Sequence, residues 1–409
     1  MKIRSITGFI DPRHDPDGRL LGNLAKFCND SAARLAKLGI EVQTKRLSSP
    51  PFARMVDCGN PGAVFDFVTA FQAAAAQNGF AYTSCGPSLP ELPESAPLVA
   101  DILKKVKGAF VSSIVADSRN IYPQAIHSAA QTIQTASSIT PDGFVNLNYA
   151  ALANTRPYGP FFPGSYAAVN EKPAYSIAVE CADAVVTAFG AQISLAEMRE
   201  KLLELLEDFA RKVSSALNPL GYTYDLEFKG FDFSPAPFPE AACSLGGGIE
   251  ALGVELGKTG SLAAASVVAH TLNRGRWKHA GYNGLMLPVL EDSLLVERAA
   301  SGQLSVKDLL LYSAVCGTGL DTVPLPGDIS VAEIESILWD VAALAVRLGK
   351  PLTARLMPIP GKKAGDPTEF DFGYFANSRV MHVEGQTVRT PLDSSDPIPL
   401  APRTPNGHT

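Results

Sequence analysis

The sequence has no cysteine pair at Cys-x-x-Cys spacing, and its six cysteines are scattered over 409 residues. A disulfide framework or a zinc ribbon uses cysteines at short, regular intervals, so neither is expected. The six histidines are also scattered, and the zinc-protease pattern His-Glu-x-x-His does not occur. A metal site built from histidine is therefore not expected.

Long basic runs and long apolar runs are also missing. The net charge of −6 and the pI of about 5.6 argue against nucleic-acid binding. No apolar run reaches the ~18 residues that span a bilayer. The first residues, MKIRSITGF, begin a strand-like pattern and lack the apolar core of a signal peptide. We expect a cytoplasmic protein with neither a nucleic-acid nor a membrane partner.

Strand-like and helix-like segments alternate along the chain, which predicts parallel strands joined by helices. We count ten to twelve strands, including 284–290 and 368–372, and this number favours one large sheet or barrel. Ser-x-x-Glu capping boxes at Ser194 and Ser330 predict two helix starts, and Pro219 predicts a helix end. No linker-like composition separates the halves. We expect one α/β domain over 1–389 and a proline-rich arm over 390–409.

The stretch 229–260 joins a strand to a helix. The strand alternates apolar and polar residues up to Gly230, where either a bulge resets the pattern or Asp232 points into the interior. Ligands of α/β sheets bind at the carboxyl ends of strands, so Asp232 and Ser234 are candidate site residues. The alternative is that the Asp232 carboxylate only caps local backbone N–H groups.

Residues 253–259, GVELGKT, are similar to a phosphate-binding loop. They have three residues between the glycines where that loop needs four, and no strand directly precedes them. We interpret the segment as a turn before a helix N-terminus. A helix N-terminus can bind an anion, which makes Lys258 and Thr259 candidate ligand-binding residues.

The run 150–172 is rich in proline, glycine and aromatic residues and has no clear period. A loop of this length inside a compact domain is usually functional or mobile. Arg156, Tyr158 and Ser165 are its polar side chains, and the first two are candidate ligand-binding residues. The alternative is an ordered surface loop without a chemical role.

Four acidic residues lie at predicted strand or helix ends: Asp232, Glu291, Asp292 and Asp321. Carboxylates suit Mg²⁺, Mn²⁺ or Ca²⁺, and Asp232, Glu291 and Asp292 are the candidate metal ligands. Glu291 and Asp292 can instead form the negatively charged first turn of a helix. Arg355, on a predicted strand, can meet an anion or pair with an acid.

Cys316 lies at the predicted C-terminus of a helix. The negative end of a helix disfavours a thiolate, so we expect Cys316 to be a small buried residue without a reactive role.

Seven short motifs, in order along most of the chain, resemble the bacterial and archaeal family called domain of unknown function 711. They are IRSIT, TKRLS, DFSPAPFP, GKTGS, LPVLED, CGTGLD and TARLMPIPGKKAGD. The resemblance implies a ten-stranded α/β barrel of the pyruvate formate-lyase-like type, with helices outside and a loop or hairpin inside. It also implies a homodimer, and it carries no established reaction.

Radical chemistry is not part of what the resemblance implies. Glycyl radical enzymes carry an Arg-Val-x-Gly-aromatic signature near the C-terminus, and the nearest sequence here, DFGY at 371–374, lacks the Arg-Val pair. The loop 150–172 also departs from the family pattern of a His-Gly followed by an acid. Here the chain has FFPGS at 161–165, which puts shared chemistry in question.

The expected function is an enzyme that acts on a small anionic metabolite at a barrel mouth. Asp232, Asp321 and Arg355 are the candidate catalytic residues, and the cofactor is unknown or a divalent cation. The candidate ligand-binding residues are Ser234, Lys258, Thr259, Arg156 and Tyr158. The alternative is a non-catalytic ligand-binding or regulatory homodimer, because no nucleophile–base pair can be identified.

Overall fold

The structure is a computed structural model, and it describes residues 1–315, 318–389, 392 and 394–403. The helices are α1 (Arg19–Ala36), α2 (Pro61–Gln77), α3 (Leu98–Lys105), α4 (Pro123–Ser137), α5 (Ala182–Phe189), α6 (Leu195–Thr223), α7 (Leu245–Glu250), α8 (Ser261–Asn273), α9 (Ser293–Ala300), α10 (Val306–Val315) and α11 (Val331–Leu348). The strands are β1 (Lys2–Phe9), β2 (Val42–Ser48), β3 (Tyr82–Ser88), β4 (Phe110–Ala116), β5 (Asn120–Ile121), β6 (Tyr149–Ala153), β7 (Ala174–Glu180), β8 (Glu227–Asp232), β9 (Gly319–Pro326), β10 (Leu352–Ile359) and β11 (Ile398–Pro399). Cys316 lies outside the described residues.

All eleven strands belong to one sheet, whose main path is β8-β7-β1-β2-β3-β4-β6-β10-β9. Its centre is a run of five parallel strands, β1-β2-β3-β4-β6. On either side an antiparallel neighbour follows, β7 against β1 and β10 against β6. β8 then runs parallel to β7, and β9 runs parallel to β10. The short strands β5 and β11 extend the sheet from β4.

One segment, residues 278–290, lies beside both ends of this path, and we call it the bridging segment. Next to β8, the N–H of Phe231 donates to the Lys278 carbonyl at 2.7 Å, and the N–H of Ala280 donates to the Phe231 carbonyl at 2.9 Å. Next to β9, the N–H of Val289 donates to the Asp321 carbonyl at 3.1 Å. The bridging segment therefore connects the two ends of the sheet.

The strand expected over 284–290 is wrong as a regular element. The bridging segment has only isolated bridges, at His279 and Pro288. Proline has no N–H to donate to a ladder, which explains why pairing stops there. Residues 368–372 likewise form no strand; they lie in a hairpin with one isolated bridge, between Pro367 and Arg379.

The protein is thus a mixed α/β structure with a large central sheet and helices. The sheet has eleven strands, within the ten to twelve counted from the sequence and one more than the resemblance implies. In the described part of the chain, no ladder joins β8 directly to β9. Closure of the sheet into a barrel therefore stays a prediction.

Helices cover the sheet because their apolar residues recur every three or four positions. In α1, for example, Leu21, Leu24, Cys28 and Leu35 are buried. One hydrophobic core takes in side chains from Ile3 to Met381, so both halves of the chain share it. No helix of the described residues combines the length and the apolar composition needed to cross a membrane.

The loop that follows β6 packs against one face of the sheet, and we call its residues 157–168 the inner loop. Its residues 159–167 are buried. Hydroxyl groups of the sheet satisfy its backbone: Thr7 donates to the Pro160 carbonyl at 2.9 Å, and Ser84 donates to the Ser165 carbonyl at 2.7 Å. The alternative of a surface loop is therefore wrong for these residues. The small hydroxyl side chains of the sheet leave space for the inner loop and satisfy its buried carbonyl groups.

Candidate functional site

A cavity of about 620 Å³ lies between the sheet and the inner loop, and we call it the central cavity. Most of its polar wall comes from β1, β2, β9, β10 and the stretch 282–291. Those side chains are Arg4, Gln43, Thr44, Arg46, Tyr282, Glu291, Asp321, Thr353 and Arg355. The apolar wall includes Tyr82, Phe110, Phe144, Phe161, Phe162, Met286, Phe372 and Tyr374. This volume and mixed lining are typical of a small-molecule site.

Three buried carboxylates and two partly buried arginines form an ion-pair network at the cavity, which we call the charged network: Glu180, Glu291, Asp321, Arg4 and Arg355. Arg355 donates from Nε to Asp321 Oδ1 and from Nη2 to Glu291 Oε1 at 3.1 Å. Arg4 donates to Glu291 Oε2 at 3.3 Å and to Glu180 Oε2 at 3.2 Å. The Glu291 carboxylate therefore lies between two guanidinium groups.

Sheet irregularities place both arginines of this network. The pairing of β1 with β7 shifts register between Ile3 and Ser5, at Arg4. The pairing of β10 with β9 shifts between Ala354 and Leu356, at Arg355. Bulges of this kind change the direction of a side chain and are common beside active sites.

Burial perturbs the titration of the network. Burial raises the pKa of Glu291 above its ordinary value, although Arg355 and Arg4 oppose that shift. Burial alone would lower the pKa of Arg355, but Asp321 and Glu291 raise it. A carboxyl group with a raised pKa beside a cavity is able to hold or release a proton there.

Arg46, on β2, differs from the other two arginines of the cavity. It is 9% exposed, and its Nε donates to Thr44 Oγ1 at 3.0 Å. Its guanidinium lies 5.3 Å from the ring centre of Phe162 and 5.6 Å from that of Tyr82. No aspartate or glutamate of the described residues forms an ion pair with it. Burial first, and then Arg4, lower the pKa of Arg46.

The structure brings Asp321 and Arg355 together as expected but places Asp232 behind the cavity. Asp232 is fully buried and bound by local groups: its carboxylate accepts from Ser234 Oγ at 2.6 Å, from the Tyr282 N–H at 2.7 Å and from the Asn283 N–H at 3.0 Å. Tyr282 lines the cavity. Asp232 and Ser234 therefore hold the bridging segment, and Asp232 touches the cavity only through Tyr282.

The other expected ligand-binding residues do not line the central cavity. Lys258 is exposed and pairs with Glu255 at 2.7 Å. Thr259 and Arg156 are exposed. The ring of Tyr158 packs edge-on against Phe9 at 5.2 Å on the other side of the inner loop. A ligand role for these residues stays a prediction.

The three expected metal ligands have separate partners. Asp292 caps α9 by accepting from the N–H groups of Leu294 and Leu295, and it also accepts from Ser244 at 2.6 Å. Glu291 belongs to the charged network, and Asp232 is bound locally. Within the described ranges, no group of three histidine, cysteine, aspartate or glutamate side chains is placed to hold a metal ion. A divalent cation stays a prediction.

Sequence reasoning missed Arg4, Arg46, Glu180 and Tyr282 as site residues. A signal existed for Arg46: in β2, Thr44, Arg46 and Ser48 alternate with Lys45 and Leu47. A strand in the middle of a large sheet with a polar face must direct that face toward a polar interior.

The fold and the site define a mixed α/β protein with an arginine-rich internal cavity. The family model described as "Uncharacterised ACR (DUF711)" matches residues 1–377, so the chain belongs to this family. It is similar to a UPF0210 protein of Clostridium perfringens, 26% identical over 388 residues that cover 88% of this chain and 83% of the relative. A UPF0210 protein of Pyrobaculum arsenaticum is 27% identical over 376 residues, with 86% and 81% coverage. One of Methanopyrus kandleri is 28% identical over 372 residues, with 85% and 81% coverage.

Proposed function

We propose that the protein is an enzyme that binds a small anionic metabolite in the central cavity and acts on it by acid–base chemistry, without a glycyl radical. The observation that carries this proposal is Arg46. Among the described residues it is a buried guanidinium without a carboxylate partner, beside a cavity. An unpaired buried cation costs free energy, and an anionic ligand would remove that cost.

The charged network supports the acid–base part of the proposal. Glu291 has a raised pKa and lines the same cavity as Arg46. It can transfer a proton to or from a bound ligand, while Arg355 fixes its orientation together with that of Asp321. In this proposal Asp321 and Arg355 keep their expected catalytic roles. Asp232 is a positioning residue that acts through Tyr282.

The architecture that the resemblance implies is also part of the proposal. We propose that the bridging segment completes a barrel of the pyruvate formate-lyase-like type, because it hydrogen-bonds β8 at one end and β9 at the other. We further propose a cytosolic homodimer. Size-exclusion chromatography with light scattering tests the dimer, and a monomeric mass would remove it.

The substitution Arg46→Met tests the anion site. Thermal shifts are measured with metabolite carboxylates and with the matching neutral amides. We expect carboxylates to raise the melting temperature of the wild type. They should bind Arg46→Met about 10- to 100-fold more weakly, because the substitution removes a charge-assisted hydrogen bond. Arg276→Met, at an exposed arginine outside the cavity, is the control. Equal shifts with carboxylates and amides would contradict the proposal.

A second candidate is the non-catalytic ligand-binding or regulatory homodimer. It is favoured by the charged network itself, because Glu291 and Asp321 already pair with arginines and can serve as a fixed frame for a ligand. Incubation of the protein with a ligand from the thermal-shift screen, followed by NMR, separates the two candidates. Turnover that Glu291→Gln abolishes supports the enzyme, and an unaltered ligand supports the binding protein.

A further inference from the structure

The charged side chains that line the central cavity are mostly basic. The lining includes five basic side chains and two acidic ones, Glu291 and Asp321. Both acids are already paired within the charged network, with Arg4 and Arg355. Three cations, Arg46, Lys104 and Lys107, have no acidic partner within the part of the chain that the structure describes. The cavity thus offers positive charge beyond what a single monoanion needs.

Lys104 and Lys107 mark the mouth of the cavity. Lys104 lies in the last turn of α3, Lys107 lies in the connection to β4, and both are exposed. Because they line the same cavity as buried Arg46, the cavity opens to solvent at this point. Lys105, between them, is engaged elsewhere: its ammonium lies 3.9 Å from the ring centre of Phe65.

The wall next to Arg46 and these lysines is aromatic. Tyr82 packs edge-on against Phe110 at 5.5 Å, and Phe110 packs edge-on against Phe162 at 5.2 Å. Tyr82 and Phe162 also flank the guanidinium of Arg46. Such a wall favours a planar, apolar group in the ligand, which it can contact by stacking or edge-to-face packing.

We propose that the ligand of the central cavity is an elongated organic dianion. One anionic group binds Arg46, an apolar planar middle contacts Tyr82, Phe110 and Phe162, and the second anionic group meets Lys104 and Lys107 at the mouth. This inference rests on the proposed function and specifies its substrate class. The cavity volume of about 620 Å³ is sufficient for one such molecule.

Three probes built on one phenyl ring test the proposal by calorimetry at low salt: 1,4-phenylenediacetate, phenylacetate and phenylacetamide. We expect the dianion to bind about fivefold more tightly than phenylacetate, since two exposed ion pairs add little each. Phenylacetate should bind more tightly than phenylacetamide. The double variant Lys104→Gln, Lys107→Gln should equalise the two acids and leave phenylacetate binding unchanged. Lys105→Gln is the matched control and should behave like the wild type.

The outcomes separate this inference from the proposed function. If the dianion and phenylacetate bind equally to the wild type, or if neither binds, the dianion proposal is overturned. If the lysine pair has no effect while Arg46→Met still abolishes carboxylate binding, the anion site stands without the second anionic group. If Arg46→Met has no effect either, both proposals fail. Urea unfolding of each variant verifies that it is folded.

Discussion

Glu291 is the residue in which charge and burial oppose each other most directly. Its carboxylate lies between Arg4 and Arg355, yet burial raises its pKa. A raised folded-state pKa means that the folded protein takes up this proton more readily than the unfolded chain. The contribution of Glu291 to stability is therefore fully present below the pKa of an unfolded glutamate and is lost as pH rises through the folded pKa.

We predict that anion binding becomes stronger as pH falls from the neutral into the acid range, through the raised folded-state pKa of Glu291. Protonation of Glu291 removes one negative charge from the cavity, so the remaining arginines attract an anion more strongly. The probe is phenylmethanesulfonate, which stays ionised over this range, and calorimetry measures its affinity. In Glu291→Gln the affinity should be high and independent of pH. Glu297→Gln, at an exposed position of α9, should keep the wild-type profile, and a flat profile for the wild type would refute the prediction.

The position of a residue in a strand predicted which side chains to consider but not what they contact. Asp321 and Arg355 line the cavity as expected. Asp232, chosen by the same strand-end rule, instead accepts hydrogen bonds from the hydroxyl and N–H of Ser234 and from the N–H of Tyr282. No pattern of residue types reveals how many local donors will converge on a carboxylate. Arg4 was missed because a register shift directs its side chain, and such shifts have no clear sequence signature.

At the scale of elements, chemistry local to a helix end was predictable. Both Ser-x-x-Glu boxes, at Ser194 and Ser330, cap helices with both reciprocal hydrogen bonds present. The helix end expected at Pro219 is wrong, because α6 continues to Thr223. Packing overrides the local signal there: Leu217 and Gly221, on either side of the proline, are both buried.

The C-terminal arm provides a prediction at this scale. Ile398 of β11 pairs with Ile121 of β5, and the N–H of Leu400 donates to the Arg119 carbonyl at 2.7 Å. Deletion of 397–409 should lower the free energy of unfolding by about 1–3 kcal/mol, through lost ladder bonds and apolar burial. Carboxylate affinity should not change, since no described residue of the arm lines the central cavity.

Deletion of 404–409 alone is the control for this truncation, because it leaves 397–403 in place. Urea unfolding measures both variants. If the two truncations have equal stability, the pairing of β11 with β5 contributes nothing to the free energy of unfolding.

At the scale of the whole molecule, the class of fold was predictable from the sequence, whereas closure of the sheet into a barrel stays a prediction. Alternating strands and helices predicted a large α/β sheet, and the structure has one sheet with a shared core. The bridging segment is rich in apolar residues, and from these a strand was predicted over 284–290. Its actual role depends on Pro288, which cannot donate to a ladder, and on a backbone contact with Gly230 that only the folded chain defines.

That contact leads to a prediction about the bridging segment and the cavity that it helps to line. Gly230 has φ +138°, and a Cβ there would lie 2.6 Å from the Lys278 carbonyl oxygen and 2.7 Å from the His279 carbonyl carbon. Gly230→Ala should therefore push the bridging segment off β8. We expect a loss of about 2–4 kcal/mol in the free energy of unfolding, from strain and lost hydrogen bonds. Carboxylate binding should also weaken, because Tyr282 and Met286 of the bridging segment line the cavity.

Gly253→Ala is the matched control, since Gly253 also has a positive φ, +84°, but has no atom within 4 Å of the added Cβ. It should cost only about 1 kcal/mol of backbone strain and leave binding unchanged. Denaturant unfolding and calorimetry with phenylacetate measure both variants. If Gly230→Ala and Gly253→Ala lose the same stability and both bind phenylacetate normally, close contact between β8 and the bridging segment does not hold the cavity in shape. In that case the two ends of the sheet behave as independent edges, and the proposed barrel loses its main support.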